Sequence, residues 1–366
     1  MAVNFLKPKK LLASVIKYVK ILHNMPELRK DPIIGRWVII AVERARRPKA
    51  SKANVHLPER GDCPFCEGKE DQTQPEIFSV RKEGTAANQA GWLVRVIPSK
   101  TPFLKIEGDL NRHGRGVYDV MGGVGAHEII VDTPQHIANM ADLDETQIAK
   151  VIACCMERFC DLAKDERFKY LLLFKNYESS SERGHVRHSR TQLIATPVTP
   201  KRVKEELAGS KRYYEYHERC IFCDLIRQEV EFSKRVICEM DGFVAIAPFA
   251  SRFPFEVWIL PKKHACDFSS STVESRFHLA RILKKVLTKI KVGLDDPVYS
   301  LVMHTSPLRR KNARLSYWKT IEQDYHWHIE IIPKITSPAG FEWGTGFYIC
   351  PISPEESAKY LREVVI

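Results

Sequence analysis

No apolar run in the chain approaches the roughly 20 residues that a membrane-crossing helix needs, so spanning helices drop out of the expected architecture. No secretory leader pattern opens it, and only four of its ten cysteines fall in Cys-x-x-Cys pairs. A disulfide framework is therefore not expected, and a reducing, cytoplasmic setting is. The net charge of +12 comes without an aromatic-interleaved basic strip or a recognition-module pattern, so charge by itself does not point to nucleic acid. Acid is missing altogether from residues 1–24, which hold five lysines and leave +7 for the rest. There Leu6, Leu11, Leu12, Val15, Ile16, Val19 and Leu22 would line one side of a helix with lysines opposite. That pattern fits a basic membrane-surface helix, and equally an upstream extension read through from a start before Met25. The moderately basic body suits anionic partners such as phosphates.

What is present is a unit written twice. Cys63-Pro-Phe-Cys66 is followed by Glu128-Ile-Ile-Val-Asp-Thr-Pro-Gln-His136 and then by His188-Ser-Arg-Thr-Gln192. Cys220-Ile-Phe-Cys223 is followed by Glu256-Val-Trp-Ile-Leu-Pro-Lys-Lys-His264 and then by His326-Trp-His328-Ile-Glu330. The glutamate precedes the histidine by eight residues in both copies. With 366 residues to divide, the repeat predicts a basic extension over 1–24, one half over 25–200 and a second over 201–366. Short apolar runs predict strands at 37–41, 92–97, 128–131, 170–174 and 192–195 in the first half, and at 243–246, 256–260, 299–303 and 327–332 in the second. One long helix per half is expected, at 146–168 and 273–291, with a shorter helical start at 201–207. The glycine-rich stretch 114–125 reads as a flexible or functional loop. Ser353, Pro354 and Glu356 predict a capped final helix. Strand runs with single helices, lacking regular strand–helix alternation, predict an α+β fold of duplicated antiparallel sheets with helices packed on them.

A Cys-x-x-Cys turn brings two thiols to one point, and tetrahedral zinc needs two further ligands. His136 and His188 supply them for Cys63 and Cys66; by the repeat, His264 and His326 supply them for Cys220 and Cys223. Such a pair also serves redox chemistry or is merely buried, and Cys154, Cys155 and Cys160 in the first helix read as small buried hydrophobes. Four protein ligands leave no open position, so two structural Zn2+ sites are expected. A competing set in the second half, Glu206, His304 and His328 with a share in His326, would suit Fe2+ or Zn2+.

These residues carry a resemblance. Asp31-Pro-Ile-Ile-Gly-Arg-Trp37, Glu43-Arg-Ala-Arg-Arg-Pro48, the first Cys-x-x-Cys, His136, Gln192, Tyr325-His-Trp-His-Ile-Glu330 and Gly340-Phe-Glu-Trp-Gly-Thr-Gly346 are similar to the galactose-1-phosphate uridylyltransferase family, within the histidine-triad superfamily. The second Cys-x-x-Cys resembles the plant branch, which includes nucleotide-sugar phosphorylases. The resemblance implies a homodimer acting on a nucleoside-diphosphate sugar and a sugar 1-phosphate, through a histidine that holds the nucleotidyl group covalently. It implies phosphate contacts from Arg44, Arg47 and Asn176, and a base or ribose contact where this chain has Ser99.

The family signature His-Pro-His-x-Gln places a zinc histidine at His188 and the phosphate-steadying glutamine at Gln192, which puts Arg190 at the nucleophile. A guanidinium stays protonated and has no lone pair for phosphorus, although it can fork onto a phosphate. The alternative to a working nucleotidylyltransferase is thus a catalytically degenerate, zinc-stabilised protein that binds nucleotide sugars or sugar phosphates. His328, one residue beyond Trp327 as Arg190 is beyond Ser189, is a substitute nucleophile, and His185 is another. Glu330 falls where the repeat would put Gln192.

Overall fold

The computed structural model describes residues 25–46, 63–177, 187–309 and 318–366. The basic segment 1–24, Arg47 and His185 lie outside them. Strands β1 (Glu27–Lys30) and β2 (Trp37–Ile40) open the chain, followed by β3 (Phe78–Arg81), β4 (Trp92–Pro98), the β5–β6 hairpin (His113–Arg115 and Tyr118–Val120) and β7 (Ala126–Val131). Helix α1 (Glu145–Leu162), β8 (Tyr170–Tyr177) and β9 (Arg190–Thr196) complete the first half. The second half runs through α2 (Lys201–His217), α3 (Ile221–Phe232), β10 (Val236–Met240), β11 (Phe243–Ile246), β12 (Val257–Pro261), α4 (Val273–Gly293), β13 (Tyr299–His304), α5 (Ile321–Asp324), β14 (His328–Pro333), α6 (Gly340–Thr345), β15 (Tyr348–Cys350) and α7 (Pro354–Glu363).

Ten of these strands form one antiparallel sheet in the order β10-β11-β12-β14-β13-β8-β9-β7-β4-β3. The order is a palindrome: each half contributes five strands in the same relation, and the halves join where β8 pairs with β13. Register makes the symmetry residue-specific. Gln192 lies opposite Phe174, Glu330 lies opposite Val302, and Phe174 and Val302 lie opposite each other. A pseudo-twofold axis therefore passes between Phe174 and Val302, and the two halves share a sheet instead of forming separate ones.

One face of the sheet is covered by α1 and α4, and its alternating apolar residues build the main core, from Val94, Ile130, Leu173 and Leu193 to Ile259, Leu301 and Ile329. On the opposite face the halves differ. Val203, Leu207, Ile221 and Phe222 of α2 and α3 pack on Trp258 and Leu260 in the second half; among the described residues of the first half, the 64–74 segment with its short helical turn Glu70–Gln72 borders that face and no α-helix does.

Several expectations shift for local reasons. The first long helix stops at Leu162, not 168, because Asp165 accepts from the backbone of Arg167 and folds the following turn. The glycine-rich stretch holds the exposed β5–β6 hairpin. Val38–Ile40 of β2 pair parallel with β15 near the C-terminus, and β1 pairs with β2. Of the three helix cysteines, Cys160 is exposed while Cys154 and Cys155 are buried. Ser353 caps α7 reciprocally with Glu356, as its sequence predicts.

Candidate functional site

The sheet brings each set of four sulfur and nitrogen ligands together. Cys63, Cys66, His136 and His188 form one group and Cys220, Cys223, His264 and His326 the other, their ligand atoms all within 4.8 Å of one another. His188 Nδ1 lies 3.4 Å from Cys63 Sγ, and His136 Nδ1 lies 3.3 Å from Cys66 Sγ. In the second group Cys223 Sγ lies 3.3 Å from His264 Nδ1 and 3.7 Å from His326 Nδ1. The outer nitrogens explain this orientation. His188 Nε2 donates to the Thr133 carbonyl at 2.7 Å, His264 Nε2 to that of Glu322 at 2.9 Å, and His326 Nε2 to that of Pro261 at 2.8 Å. Each bond fixes the tautomer and turns an Nδ1 lone pair towards the thiols, the arrangement zinc requires. Burial and the neighbouring Cys63 push the Cys66 thiol up to about 11, so the pair cannot share ionisation unless a cation lies between them. Burial also holds His188 down at about 4, keeping its imidazole neutral at ordinary pH. The donor sets fit zinc.

On the face of the first half away from α1 lies a cavity of about 700 Å³, lined among others by Phe65, Ser99, His127, Asn176, Arg190 and Gln192. Alternation along β8 and β9 puts Asn176, Arg190 and Gln192 on this face together. His127 sits beside them because β7 pairs with β9, Ile129 opposite Gln192. Its Nδ1 accepts the Phe103 backbone N–H at 3.4 Å, which leaves a proton on Nε2 to donate to Gln192 Oε1 at 3.0 Å. Across the pseudo-axis, Ser300 donates its hydroxyl to Asn176 Oδ1 at 2.7 Å. Both amide oxygens are thereby occupied, and both NH2 groups are left as donors. Beneath the strand, Lys175 is buried against Asp132 at 2.6 Å and holds the Ser189 hydroxyl and the Arg190 carbonyl at 2.9 Å each. The Arg190 guanidinium lies 5.7 Å from the Phe65 ring centre. Among the described groups the amides and guanidinium offer an anion only donors.

Neither His127 nor Ser300 is evident from the motifs. The matched spacing of Glu128 and Glu256 pointed elsewhere, and the register overturns that match. Ile129 lies opposite Gln192 and Trp258 opposite Glu330, so two residues earlier His127 corresponds to Glu256. Glu128 faces the helices and pairs with Arg158 at 2.7 Å, on the other side of the sheet. Arg44 is exposed on the helical turn Val42–Arg46 and is not among the residues lining the cavity.

The corresponding place in the second half is filled. Asn176, Arg190 and Gln192 correspond to His304, His328 and Glu330. Arg202 and Arg252 both reach Glu330 at 2.7 Å, and His304 Nδ1 lies 2.9 Å from Glu206. His328 is 1 % exposed and packed between Phe222, Trp258 and His304. The remaining space beside it is about 10 Å³, the size of one water. A substitute nucleophile needs room for a sugar nucleotide, and His328 has none. Burial lowers its imidazole to about 4. Its Nδ1 donates to the His326 carbonyl at 3.2 Å, leaving Nε2 a buried acceptor with no hydrogen-bond partner.

A family model described as the galactose-1-phosphate uridyl transferase C-terminal domain matches residues 206–352, and the N-terminal model of a domain of unknown function matches 115–197. The chain is 35 % identical to the ADP-glucose phosphorylase of Arabidopsis thaliana over 93 % of its own length and 94 % of that protein's. It is 28 % identical to the galactose-1-phosphate uridylyltransferase of Thermotoga maritima, over 93 % and 99 % of the two chains. The structure of the Arabidopsis phosphorylase with bound ADP-glucose superposes with a TM-score of 0.77 at 34 % identity, covering 93 % of this chain and 100 % of the other. Among the described residues no helix is long and apolar enough to cross a membrane.

Proposed function

Since the chain belongs to the galactose-1-phosphate uridylyltransferase family, we propose that its first-half cavity takes a nucleoside-diphosphate sugar and that its reaction moves the nucleotidyl group between sugar nucleotide and phosphate acceptor, a sugar 1-phosphate among them. One observation supports this most: Asn176, Arg190 and Gln192 converge as donors, with both amide oxygens already occupied by Ser300 and His127. Ser99 lines the same space and serves the base or ribose end. The relative holding ADP-glucose makes that compound the first ligand to try. Calorimetry with ADP-glucose and UDP-glucose should show micromolar binding of at least one; heat from neither overturns the reading.

Cys63, Cys66, His136 and His188 would hold one Zn2+ and Cys220, Cys223, His264 and His326 the other. A closed tetrahedral ion supplies rigidity, tying the 63–66 turn that carries Phe65 to the strand that carries Arg190. Glu206, His304 and His328 are the second choice for Fe2+ or Zn2+, favoured by the orphaned His328 Nε2 and opposed by the two guanidiniums that already compensate Glu330. Elemental analysis distinguishes them, with two metals per chain expected. A cytoplasmic homodimer completes the reading, and sedimentation at working concentration tests the dimer.

The degenerate-protein alternative gains its one argument from Arg190, which removes the covalent route. In that case calorimetry shows binding and no acceptor yields product.

A further inference from the structure

Arg190 excludes a covalent intermediate at its own position but leaves room for transfer without one. Resting on the sugar-nucleotide reading above, we propose that this chain transfers the nucleotidyl group by direct displacement within a ternary complex, with Arg190 clamping the phosphates and an acceptor that is itself a phosphate.

Three observations support this. First, His127, the described histidine lining the cavity, has both nitrogens engaged, by the Phe103 N–H and by Gln192 Oε1. Its Nε2 carries a proton, so it is no nucleophile in this arrangement. Second, the cavity of about 700 Å³ lies in the upper part of the range of about 300–1,000 Å³ that small-molecule sites occupy, so a compact phosphate can enter beside a sugar nucleotide. The neighbouring cavity that shares Pro98, Ser99 and His127 opens past Glu128 and Arg158 on the helix side and takes no part. Third, a phosphate acceptor needs no base. With a second pKa of about 6, a phosphate monoester is largely a dianion at neutral pH, and orthophosphate is a mixture of monoanion and dianion. Water or an alcohol would have to lose a proton during attack, and His127 is not free to take it.

The step balances without proton transfer. One oxygen of the acceptor phosphate forms a bond to the α-phosphorus as the bond from that phosphorus to the bridging oxygen breaks. The electron pair leaves with the sugar phosphate. Charge spread over the in-line transition state is what a guanidinium and two amide NH2 groups stabilise, and an arginine so placed contributes on the order of 10³–10⁵ in rate in other phosphoryl transfers. Orthophosphate as acceptor gives a nucleoside diphosphate and a sugar 1-phosphate; a sugar 1-phosphate gives a new sugar nucleotide.

Initial rates of the metal-loaded full chain with ADP-glucose or UDP-glucose, against orthophosphate in one arm and glucose 1-phosphate in the other, test this. Intersecting double-reciprocal lines and inversion at a chiral α-thiophosphate are expected, with negligible hydrolysis. Arg190→Ala should lower kcat at least 10²-fold with a smaller change in KM. Arg190→His should turn the lines parallel and yield a nucleotidyl-histidine adduct visible by mass spectrometry. Parallel lines, retention or an adduct in the unaltered chain overturn the proposal. So does binding without turnover in both arms, which spares the sugar-nucleotide reading; absence of binding overturns both.

Discussion

The two halves place the same strands about one axis and use the same face of the sheet for opposite ends. In the first half, three positions facing that side carry Asn176, Arg190 and Gln192 around open space. In the second, their counterparts are His304, His328 and Glu330, interlocked with Glu206, Arg202 and Arg252 beneath α2 and α3. The difference follows from what covers the sheet. Where helices close over it, buried polar groups depend on partners within the protein, which Glu330 finds in two arginines and His328 Nε2 does not find. Where, among the described residues, no α-helix lies over it, Asn176, Arg190 and Gln192 border a cavity. On the reading proposed above, one copy of the duplicated scaffold binds ligand and the other holds the fold together.

The largest expected effect comes from the cysteines, because the structural zinc proposed for them would contribute on the order of 10 kcal/mol, as in small domains. Cys223→Ala should unfold the chain at 37 °C or drop its Tm by more than ten degrees, whereas Cys63→Ala, at the margin of the open cavity, should lose ligand binding with a smaller Tm change. Equal losses in both assays would erase the distinction between the halves.

Next comes Glu330→Gln, which removes the carboxylate shared by the buried Arg252 and the partly exposed Arg202 and leaves each with one acid, Glu256 and Glu206, at a cost of about 3 kcal/mol. Burial raises the Glu330 carboxyl, but Arg202 and Arg252 outweigh it and hold it well below the usual carboxylate range of 4.5. Its contribution is therefore present above that range and lost as pH falls through the depressed folded value. Thermal melts from pH 7 to pH 3 should fall more steeply for the unaltered chain than for the glutamine variant. The converse change, Gln192→Glu, should cost little stability yet abolish sugar-nucleotide binding, since it sets an anion against an anion.

Arg190→Ala follows, with affinity falling about 10–100-fold for the loss of charge-assisted hydrogen bonds worth about 1.5–3 kcal/mol. His127→Phe is the mildest. It frees Gln192 to turn its oxygen towards the ligand, and a neutral hydrogen bond of about 1 kcal/mol corresponds to a loss near fivefold, read by calorimetry.

Local pattern revealed much of this. Short apolar runs gave eight of the ten strands of the large sheet and missed its edges β3 and β10, capping gave the start of α7 at Ser353, and the doubled Cys-x-x-Cys led to both Cys/His groups. The palindromic sheet order was not legible, because strand pairing between halves depends on contacts far apart in sequence. Nor was the face of each side chain where a loop shifts the count by one. Glu128 and Glu256 match in spacing but lie on opposite faces, since side-chain direction reverses with every residue. His127 and Ser300 carry no motif; their roles arise only once β7 and β13 lie beside the strands that bear Gln192 and Asn176. His328 looked equivalent to Arg190 and is so in register, but α3 buries it beneath Phe222.

The central claim, that one half binds and the other is filled, is tested most directly by photolabelling with an azido-adenine analogue of ADP-glucose followed by peptide mapping. Labelling confined to 64–74, 97–103 or the β8–β9 strands, competed away by ADP-glucose, is the result predicted here. Competed labelling around Arg36, Trp258 or His328 would contradict it.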